Sequence, residues 1–252
     1  MKNFNKNLNI IILAAGRGKR LGNLSKNKPK AMINLLGKPL IEYSVSLAES
    51  LKAKPIIVVG YKKEMIIDYL KNRAQYVEQK ELLGTGHAVM AASKILKNKS
   101  GITLVYFADN PLWSLKTAKK VIKTFIDQKL TMIVTSAKIS ADFMYGRVIR
   151  DNKNQVKAII EAKDCNSKQL KINEMHSSFY AFDNKWLFAN LAKIKNQNVQ
   201  KEYYLTDTLG LAVSQNKKVE GIWAYKKEEA YGINTTEDLK KVEKYLQNKG
   251  GK

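Results

Sequence analysis

Cysteine is nearly absent from the chain, since Cys165 is the only one among 252 residues. One thiol cannot form a disulfide within the chain, so a disulfide-stapled fold is excluded and a reducing compartment is expected. Long apolar runs are also missing, because the run that starts at Leu8 is interrupted by Asn9 and leads into the basic loop Arg17–Arg20. A bilayer span needs about 20 apolar residues. We therefore predict a cytoplasmic protein with no signal peptide and no membrane partner.

Arginine is scarce, although the chain is strongly basic. Lysine and arginine together number 45 against 22 acidic residues, a net charge of +23, yet only five of the cations are arginines. The lysines are spread along the chain, which a genome rich in lysine and asparagine codons explains at least as well as a polyanionic partner. We do not favour nucleic-acid binding, an alternative that a steep salt dependence of affinity would reveal.

Short apolar runs alternate with helical patterns in the first half of the chain. This alternation predicts an α/β, Rossmann-like fold, with a mostly parallel sheet covered by helices on both faces. After the strand that begins at Leu8, the predicted strands are Pro55–Gly60, Ile102–Phe107 and Thr131–Thr135, and the predicted helices are Leu40–Leu51, Met65–Leu70, His87–Leu96 and Leu115–Ile126.

The pattern changes after about residue 138. Gly146–Arg150 and Val156–Ile160 flank a polar turn and predict a β-hairpin, which we expect to form a substrate region on the same sheet. Phe179–Phe182 and Val219–Ala224 are further strand candidates, and Thr236–Leu246 is a final amphipathic helix.

No internal repeat or linker divides the chain, which favours one domain over residues 1–247. Within it we predict a nucleotide-binding half at about 1–112 and a sugar-phosphate half at about 113–234. A closing helix at 235–247 and a flexible tail at 248–252 complete the prediction.

A loop of small and basic residues follows the first apolar run. Leu13, Ala14, Ala15, Gly16 and Gly18 lead into it, and it contributes the cations Arg17, Lys19, Arg20 and Lys30. Glycines let backbone N–H groups lie close to an anion, and a strand that delivers such a loop to the carboxyl edge of a sheet is typical of nucleotide sites. The spacing of the glycines matches neither the dinucleotide fingerprint nor the Walker loop. We predict that this loop binds the phosphates of a nucleoside triphosphate.

This loop resembles that of the sugar-nucleotide pyrophosphorylases, whose signature is L-A-A-G-x-G-x-R followed by a P-K pair. Here the signature runs from Leu13 to Arg20 and the pair is Pro29-Lys30. The resemblance implies that residues 13–16 and Gly18 bind the nucleotide. It also implies that Arg20 and Lys30 are catalytic cations.

A second motif combines Gln79 with the Gly84-Thr85-Gly86 turn. A glutamine amide offers both a donor and an acceptor, so it can pair with the imide edge of uracil or thymine. The motif is similar to that of uridylyltransferases acting on N-acetylglucosamine-1-phosphate, which implies that Gln79, Gly84 and Thr85 bind the base. We interpret His87, which follows Gly86 directly, as a residue that packs in the structure and takes no part in catalysis.

The third motif places Asp109 directly after a buried strand. One carboxylate together with phosphate oxygens and waters is the usual way to hold Mg²⁺. The resemblance implies that Asp109 and Asn234 are metal ligands, so we predict Mg²⁺ as the cofactor. Capping of the last helix is the alternative role for Asn234.

The sugar side departs from the family pattern. The resemblance implies that Ala108, Gly146, Glu161 and His176 bind the sugar phosphate. However, Ala108 replaces a glycine, His176 replaces an asparagine and Ser178 replaces a glycine of that pattern. We therefore expect the nucleotide to be retained and leave the identity of the sugar open.

Together these motifs, in register over about residues 8–245, predict transfer of a uridylyl group from UTP to a sugar-1-phosphate, with release of pyrophosphate. Thymidylyl or cytidylyl transfer to another sugar or alcohol phosphate is the alternative within the same fold. A non-catalytic nucleotide-binding protein is the alternative of another class. We expect neither the acetyltransferase β-helix of bifunctional family members nor its trimer, and predict a monomer or dimer.

Overall fold

The computed structural model describes residues 7–140 and 143–250, which build a nine-stranded sheet with helices on both faces. Its strands are β1 Leu8–Leu13, β4 Ile56–Val59, β5 Gln75–Glu78, β6 Ile102–Phe107, β7 Met132–Lys138, β8 Arg147–Arg150, β9 Val156–Ile160, β10 Glu174–Asp183 and β11 Val219–Trp223, while β2 Asn34–Leu35 and β3 Lys38–Pro39 form a separate small hairpin. Strand β1 lies near the centre of the sheet and pairs in parallel with β4 and β6. The sheet order is β11-β7-β10-β6-β1-β4-β5, with β8 and β9 attached beside β10.

Alternate residues of β1 explain why helices cover both faces of the sheet. Ile10 and Ile12 pack with one apolar cluster, whereas Ile11 and Leu13 pack with another. A strand buried on both faces reads as a continuous apolar run, as β1 does. The helices are α1 Leu40–Ser50, α2 Lys63–Leu70, α3 Thr85–Ala91, α4 Ser93–Leu96, α5 Leu115–Asp127, α6 Ser167–Leu170, α7 Asn184–Asn190, α8 Asp207–Ser214 and α9 Thr236–Gly250. The predicted α/β fold with a mostly parallel sheet is confirmed.

Strand β10 is the main exception to the parallel arrangement. It runs antiparallel to both β6 and β7 and also pairs with β8 of the predicted hairpin. The strand covers ten residues, more than the predicted Phe179–Phe182, and its pairing with β7 shifts between His176 and Tyr180. The hairpin itself is confirmed and joins the main sheet through β10.

Several boundaries differ from the predictions. The predicted helix His87–Leu96 is two helices, α3 and α4, with Ala92 between them. Strand β5 was missed because its four residues lie at the sheet edge and are only partly buried, so they lack a clear apolar run. The last helix continues to Gly250, through most of the predicted flexible tail, and residues 251–252 of that tail lie outside the described residues.

Within the described residues, 7–140 and 143–250, none of the helices has both the length and the apolar character required to cross a membrane.

Candidate functional site

A cavity of about 400 Å³ lies at the carboxyl ends of β1, β5 and β6. This is the edge at which open parallel sheets bind ligands. The lining includes all eight residues predicted to bind the nucleotide, together with the three predicted catalytic residues and both predicted metal ligands: Leu13, Ala14, Ala15, Gly16, Gly18, Arg20, Lys30, Gln79, Gly84, Thr85, Asp109 and Asn234. The three sequence motifs therefore meet in one space.

The loop after β1 turns through Gly18, which has a φ of +73°. A methyl group added there would lie 3.0 Å from Cβ of Lys30, so the glycine also lets Lys30 approach the loop. The carbonyl of Gly18 accepts hydrogen bonds from the Leu21 backbone N–H and from Ser25 Oγ, both within 2.9 Å. Such bonds occupy a loop oxygen that would otherwise repel a bound anion.

Three of the four cations predicted for the loop line the cavity, namely Lys19, Arg20 and Lys30. The prediction for Arg17 is not matched, since its guanidinium lies 5.1 Å from the centre of the Tyr61 ring. A cation–π contact of this kind holds the side chain against the aromatic ring instead. Among the residues that the structure describes, the cations of the cavity wall are therefore one arginine and two lysines.

Lys30 joins the two predicted metal ligands. Its ammonium forms an ion pair with Asp109 Oδ2 and donates to Asn234 Oδ1 at 2.9 Å. Arg20 also donates to Asn234 Oδ1, at 3.1 Å. The Asp109 and Asn234 side chains thus direct their oxygens at the same cation, although the two residues are far apart in sequence.

The start of α9 explains why the Asn234 side chain is available. Thr235 Oγ1 accepts from the Asp238 backbone N–H at 3.2 Å, and Asp238 Oδ2 accepts in return from the Thr235 backbone N–H at 2.8 Å. This reciprocal pair is a capping box, and it satisfies the first N–H groups of the helix. Thr235 is therefore the capping residue, so the capping alternative for Asn234 was wrong.

The Gly84–Gly86 turn is attached to the segment that precedes α8. Gly86 N–H donates to the Tyr203 carbonyl at 2.7 Å, and Tyr203 N–H donates to the Leu83 carbonyl at 2.8 Å. Leu205 N–H donates to Thr85 Oγ1 at 2.9 Å. Glycine is required at position 84 for two reasons: its φ is +105°, which residues with a side chain rarely adopt, and an added methyl group would lie 2.7 Å from the Tyr203 oxygen.

The predicted sugar-binding residues divide into two groups. Ala108 lines the cavity, whereas Gly146, Glu161 and His176 lie outside the lining formed by the described residues. These three are neighbours: the His176 N–H donates to the Gly146 carbonyl at 2.8 Å, and Glu161 Oε2 is 3.5 Å from a methyl position on Gly146. Burial raises the pKa of Glu161, although its hydrogen bond from Thr206 opposes the shift.

His176 is buried, and both of its ring nitrogens have protein partners. Nδ1 lies 3.1 Å from the Thr135 carbonyl and Nε2 accepts from the Ser178 N–H at 3.1 Å. A carbonyl oxygen only accepts, so Nδ1 carries the proton and the ring is neutral. Burial lowers the pKa of His176 to about 3. The ring fixes the bulge of β10, in which Ser178 has a φ of +62°.

Some residues of the cavity wall were not in the predicted set. They include Glu202, from the segment attached to the Gly84 turn, and the apolar residues Leu82 and Phe107. Partial burial raises the pKa of Glu202. The E-Y-Y-L-T-D motif that begins at Glu202 was the available signal for this residue. Leu82 and Phe107 gave none, because an apolar residue beside a motif looks the same whether it packs in the core or lines a cavity.

Comparison with known proteins agrees with this arrangement. The sequence profile described as "Nucleotidyl transferase" matches residues 9–245. "Bifunctional protein GlmU" of Latilactobacillus sakei subsp. sakei (strain 23K) is 37% identical over 248 residues, covering 96% of this chain and 52% of that protein. The protein of the same name from Clostridium kluyveri (strain ATCC 8527) is 36% identical over 242 residues, covering 95% and 52%. The chain thus spans about half the length of the curated relatives it matches.

Solved structures share the fold. The crystal structure titled UDP-glucose pyrophosphorylase complexed with UDP-glucose aligns with a TM-score of 0.81 at 20% identity, covering 96% of this chain and 99% of that one. An apo-UDP-glucose pyrophosphorylase aligns with a TM-score of 0.76 at 18% identity. The structural likeness establishes the architecture, and the profile match over most of the sequence establishes the lineage. The chain belongs to the nucleotidyl transferase family.

Proposed function

We propose that this chain transfers a uridylyl group from UTP to a sugar-1-phosphate, forming a UDP-sugar and pyrophosphate. The observation that carries the proposal is the convergence of three groups on one cavity: the glycine-rich loop with its cations, the Gln79–Gly84 turn, and the Asp109–Asn234 pair. Family membership supports the reaction class, and the lining of the cavity supports phosphates beside the loop cations and a base beside Gln79. The cytoplasmic location stays a prediction.

The reaction needs charge neutralisation more than proton transfer. An anionic oxygen of the sugar-1-phosphate attacks the α-phosphorus, the bond from this phosphorus to the α–β bridging oxygen breaks, and pyrophosphate leaves with the electron pair. Because the attacking oxygen is already anionic, no general base is required. Arg20 and Lys30 are placed to offset the charge of the α-phosphate and of the leaving pyrophosphate, which is the largest demand of such a transition state.

The Asp109 and Asn234 oxygens fit a divalent ion. Mg²⁺ prefers oxygen ligands and is commonly held by one or two carboxylates with substrate phosphates and waters. In this structure the two oxygens already share one cation, the Lys30 ammonium. When bound, Mg²⁺ would neutralise phosphate charge at this point. Lys30 would then pair with phosphate oxygens in place of Asp109.

One second candidate has a specific observation in its favour. Gln79 lines the cavity and uses its Nε2 for the Gly84 carbonyl, which leaves its carbonyl oxygen as the group for a base. The imide N–H that such an oxygen accepts is present in thymine as well as in uracil. Thymidylyl transfer from dTTP is therefore the alternative that the site itself supports, whereas cytosine lacks the N–H at this ring position.

The deciding experiment measures pyrophosphate release with UTP, dTTP, CTP and ATP, each against a panel of sugar-1-phosphates and alcohol phosphates, with and without Mg²⁺. We expect release with UTP, or with UTP and dTTP, only in the presence of a sugar-1-phosphate and the metal. Binding of nucleotide without release from any pair would instead favour the non-catalytic alternative.

A further inference from the structure

Gln79 is a buried polar residue of the cavity wall whose amide is held by hydrogen bonds to the protein. It follows β5 directly, and its backbone N–H donates to the Val59 carbonyl of the neighbouring strand at 2.8 Å. The residue is only 5% exposed, and it lines the cavity. What remains for a ligand depends on how the two ends of its amide are used.

Both N–H groups of the Gln79 amide have protein partners. Nε2 donates to the Gly84 carbonyl at 3.1 Å and lies 3.2 Å from His87 Nδ1. Because a carbonyl oxygen can only accept, the amide group facing Gly84 has to be the NH₂ group. The second N–H then points to His87, whose Nδ1 must accept it. This arrangement places the imidazole proton of His87 on Nε2.

We propose that His87 determines nucleobase selectivity by holding the Gln79 amide so that only its carbonyl oxygen is offered to the base. The inference rests on the proposed function and refines it. His87 is a positioning residue in this account, because it lies behind Gln79 on α3 and acts through the amide.

The chemistry of the bases gives the direction of the effect. The carbonyl oxygen of Gln79 accepts from the N3–H of uracil or thymine. Cytosine carries an unprotonated N3 at the same place, so two acceptors would face each other. A reversed amide could donate to cytosine N3, but its oxygen would then face the lone pairs of the Gly84 carbonyl, and His87 would have to move its proton from Nε2 to Nδ1. The Gly84 carbonyl and the Nε2-protonated ring of His87 therefore oppose CTP and favour UTP or dTTP.

The tautomer of His87 can be measured without any turnover. The chain has two histidines, and the structure assigns them opposite tautomers: the proton is on Nε2 in His87 and on Nδ1 in His176. A long-range ¹H–¹⁵N correlation spectrum of ¹⁵N-histidine-labelled protein, without a histidine tag, resolves two imidazoles. We expect one ring of each kind, assigned by the loss of one signal set in His87→Asn.

A matched pair of substitutions tests the role in selectivity. Asparagine and leucine have similar shapes, but only asparagine can place an acceptor near the position of Nδ1. We expect His87→Leu to lower the UTP-over-CTP ratio of kcat/KM about tenfold, which corresponds to the loss of about 1.4 kcal/mol and is the scale of one hydrogen bond. We expect His87→Asn to stay within about threefold of the wild-type ratio. Calorimetric Kd values for UTP and CTP should change in the same ratio.

Distinct results would overturn the proposal. A proton on Nδ1 of His87 would contradict the hydrogen bond to Gln79. Equal losses for UTP and CTP in His87→Leu would show that the ring only packs the helix. If the wild-type protein binds nucleotides but releases no pyrophosphate, the proposed reaction fails, while the tautomer and the ratio of the two Kd values still decide the role of His87.

Discussion

The nucleotide side of the cavity and the cluster around His176 use polar groups in opposite ways. On the nucleotide side, Lys19, Arg20 and Lys30 line the cavity, and the Gln79 amide uses its Nε2 for the Gly84 carbonyl, so that we propose its oxygen for the base. In the second region, both ring nitrogens of His176 form hydrogen bonds with protein atoms. The first region keeps the residues of the family pattern apart from Ala108. The second region contains the other two departures from that pattern, His176 and Ser178.

This contrast separates binding from support. A polar group that lines a cavity and has a donor or acceptor without a protein partner can recognise a ligand. A buried polar group whose hydrogen bonds are all made within the protein stabilises the fold instead. His176 therefore replaces the family asparagine with a side chain that holds the β10 bulge closed. Its predicted contact with the sugar stays a prediction, and the geometry indicates that a polar contact would require those internal bonds to break.

The largest expected effect lies on the nucleotide side. Asp109→Asn should lower the rate of pyrophosphate release at least about a hundredfold, because it removes the carboxylate that would hold the metal and that pairs with Lys30. Steady-state release with UTP and the best sugar-1-phosphate gives the comparison. Asp127→Asn is the matched control, since Asp127 also pairs with a lysine, Lys123, but on the exposed face of α5. Equal rates of pyrophosphate release for the two variants would show that the reaction does not need the Asp109 carboxylate.

The pH dependence of stability tests the His176 region. Because burial lowers the pKa of His176 to about 3 in the folded protein, the unfolded chain takes up this proton near pH 6.5 and the folded chain does not. The stability due to the neutral ring is thus present above pH 6.5 and is lost as the pH falls. Between pH 6 and pH 4, the unfolding free energy should fall by about 2.5 kcal/mol more in the wild type than in His176→Asn.

Denaturant titrations at the two pH values measure this difference, and His87 cancels because both proteins contain it. Parallel pH profiles for the two proteins would mean that His176 titrates normally and reaches water. In that case the region around His176 would not differ from the cavity wall in having its polar groups bonded within the protein.

A smaller effect should appear where the two regions are joined. Thr85→Val removes the acceptor of the Leu205 N–H, and an unsatisfied buried N–H costs about 1 to 2 kcal/mol. Thr85→Ser keeps the oxygen but loses a methyl group. Once the loss of the methyl group is allowed for, its free energy of unfolding should lie within about 0.5 kcal/mol of the wild-type value. Unfolding free energies of the three proteins give the test. No difference between valine and serine would show that this link contributes nothing.

The smallest effect concerns backbone strain in the bulge. Ser178 adopts a φ of +62°, a conformation that costs a residue with a side chain about 1 to 2 kcal/mol. Glycine relieves this strain but loses more entropy on folding, about 0.5 to 1 kcal/mol. Ser178→Gly should therefore stabilise the protein by about 0.5 kcal/mol, seen as a small rise in Tm. A marked loss of stability would instead reveal a hydroxyl contact that matters more than the strain.

The residues that meet in the cavity could be predicted from the sequence for a physical reason. Strands β1 and β6 are buried on both faces, so they read as apolar runs, and the motif residues follow where these runs end. Parallel strands bring their carboxyl ends to one edge, which joins Leu13 and Asp109 across the sheet. Asn234 could be predicted only from the resemblance, because an asparagine at the start of α9 looks like an ordinary helix cap until the Thr235–Asp238 capping box is seen.

The rest depended on tertiary context that no local pattern contains. Arg17 was predicted beside the phosphates, but it contacts Tyr61, which comes from another loop. Strand β10 runs antiparallel between β6 and β7, and its length depends on a bulge that His176 stabilises through a residue of β7, Thr135. The role of the His87 ring likewise appears only when Gln79 is beside it.

The most direct test of the central claim is a crystal structure with UTP and Mn²⁺, in which the anomalous signal locates the metal. We expect the triphosphate against the Gly16–Gly18 loop, the uracil N3–H on Gln79 Oε1, and an anomalous peak held by Asp109 and Asn234, with Lys30 moved to the phosphates. Nucleotide bound elsewhere, or a metal peak away from both residues with Lys30 still paired to Asp109, would contradict it.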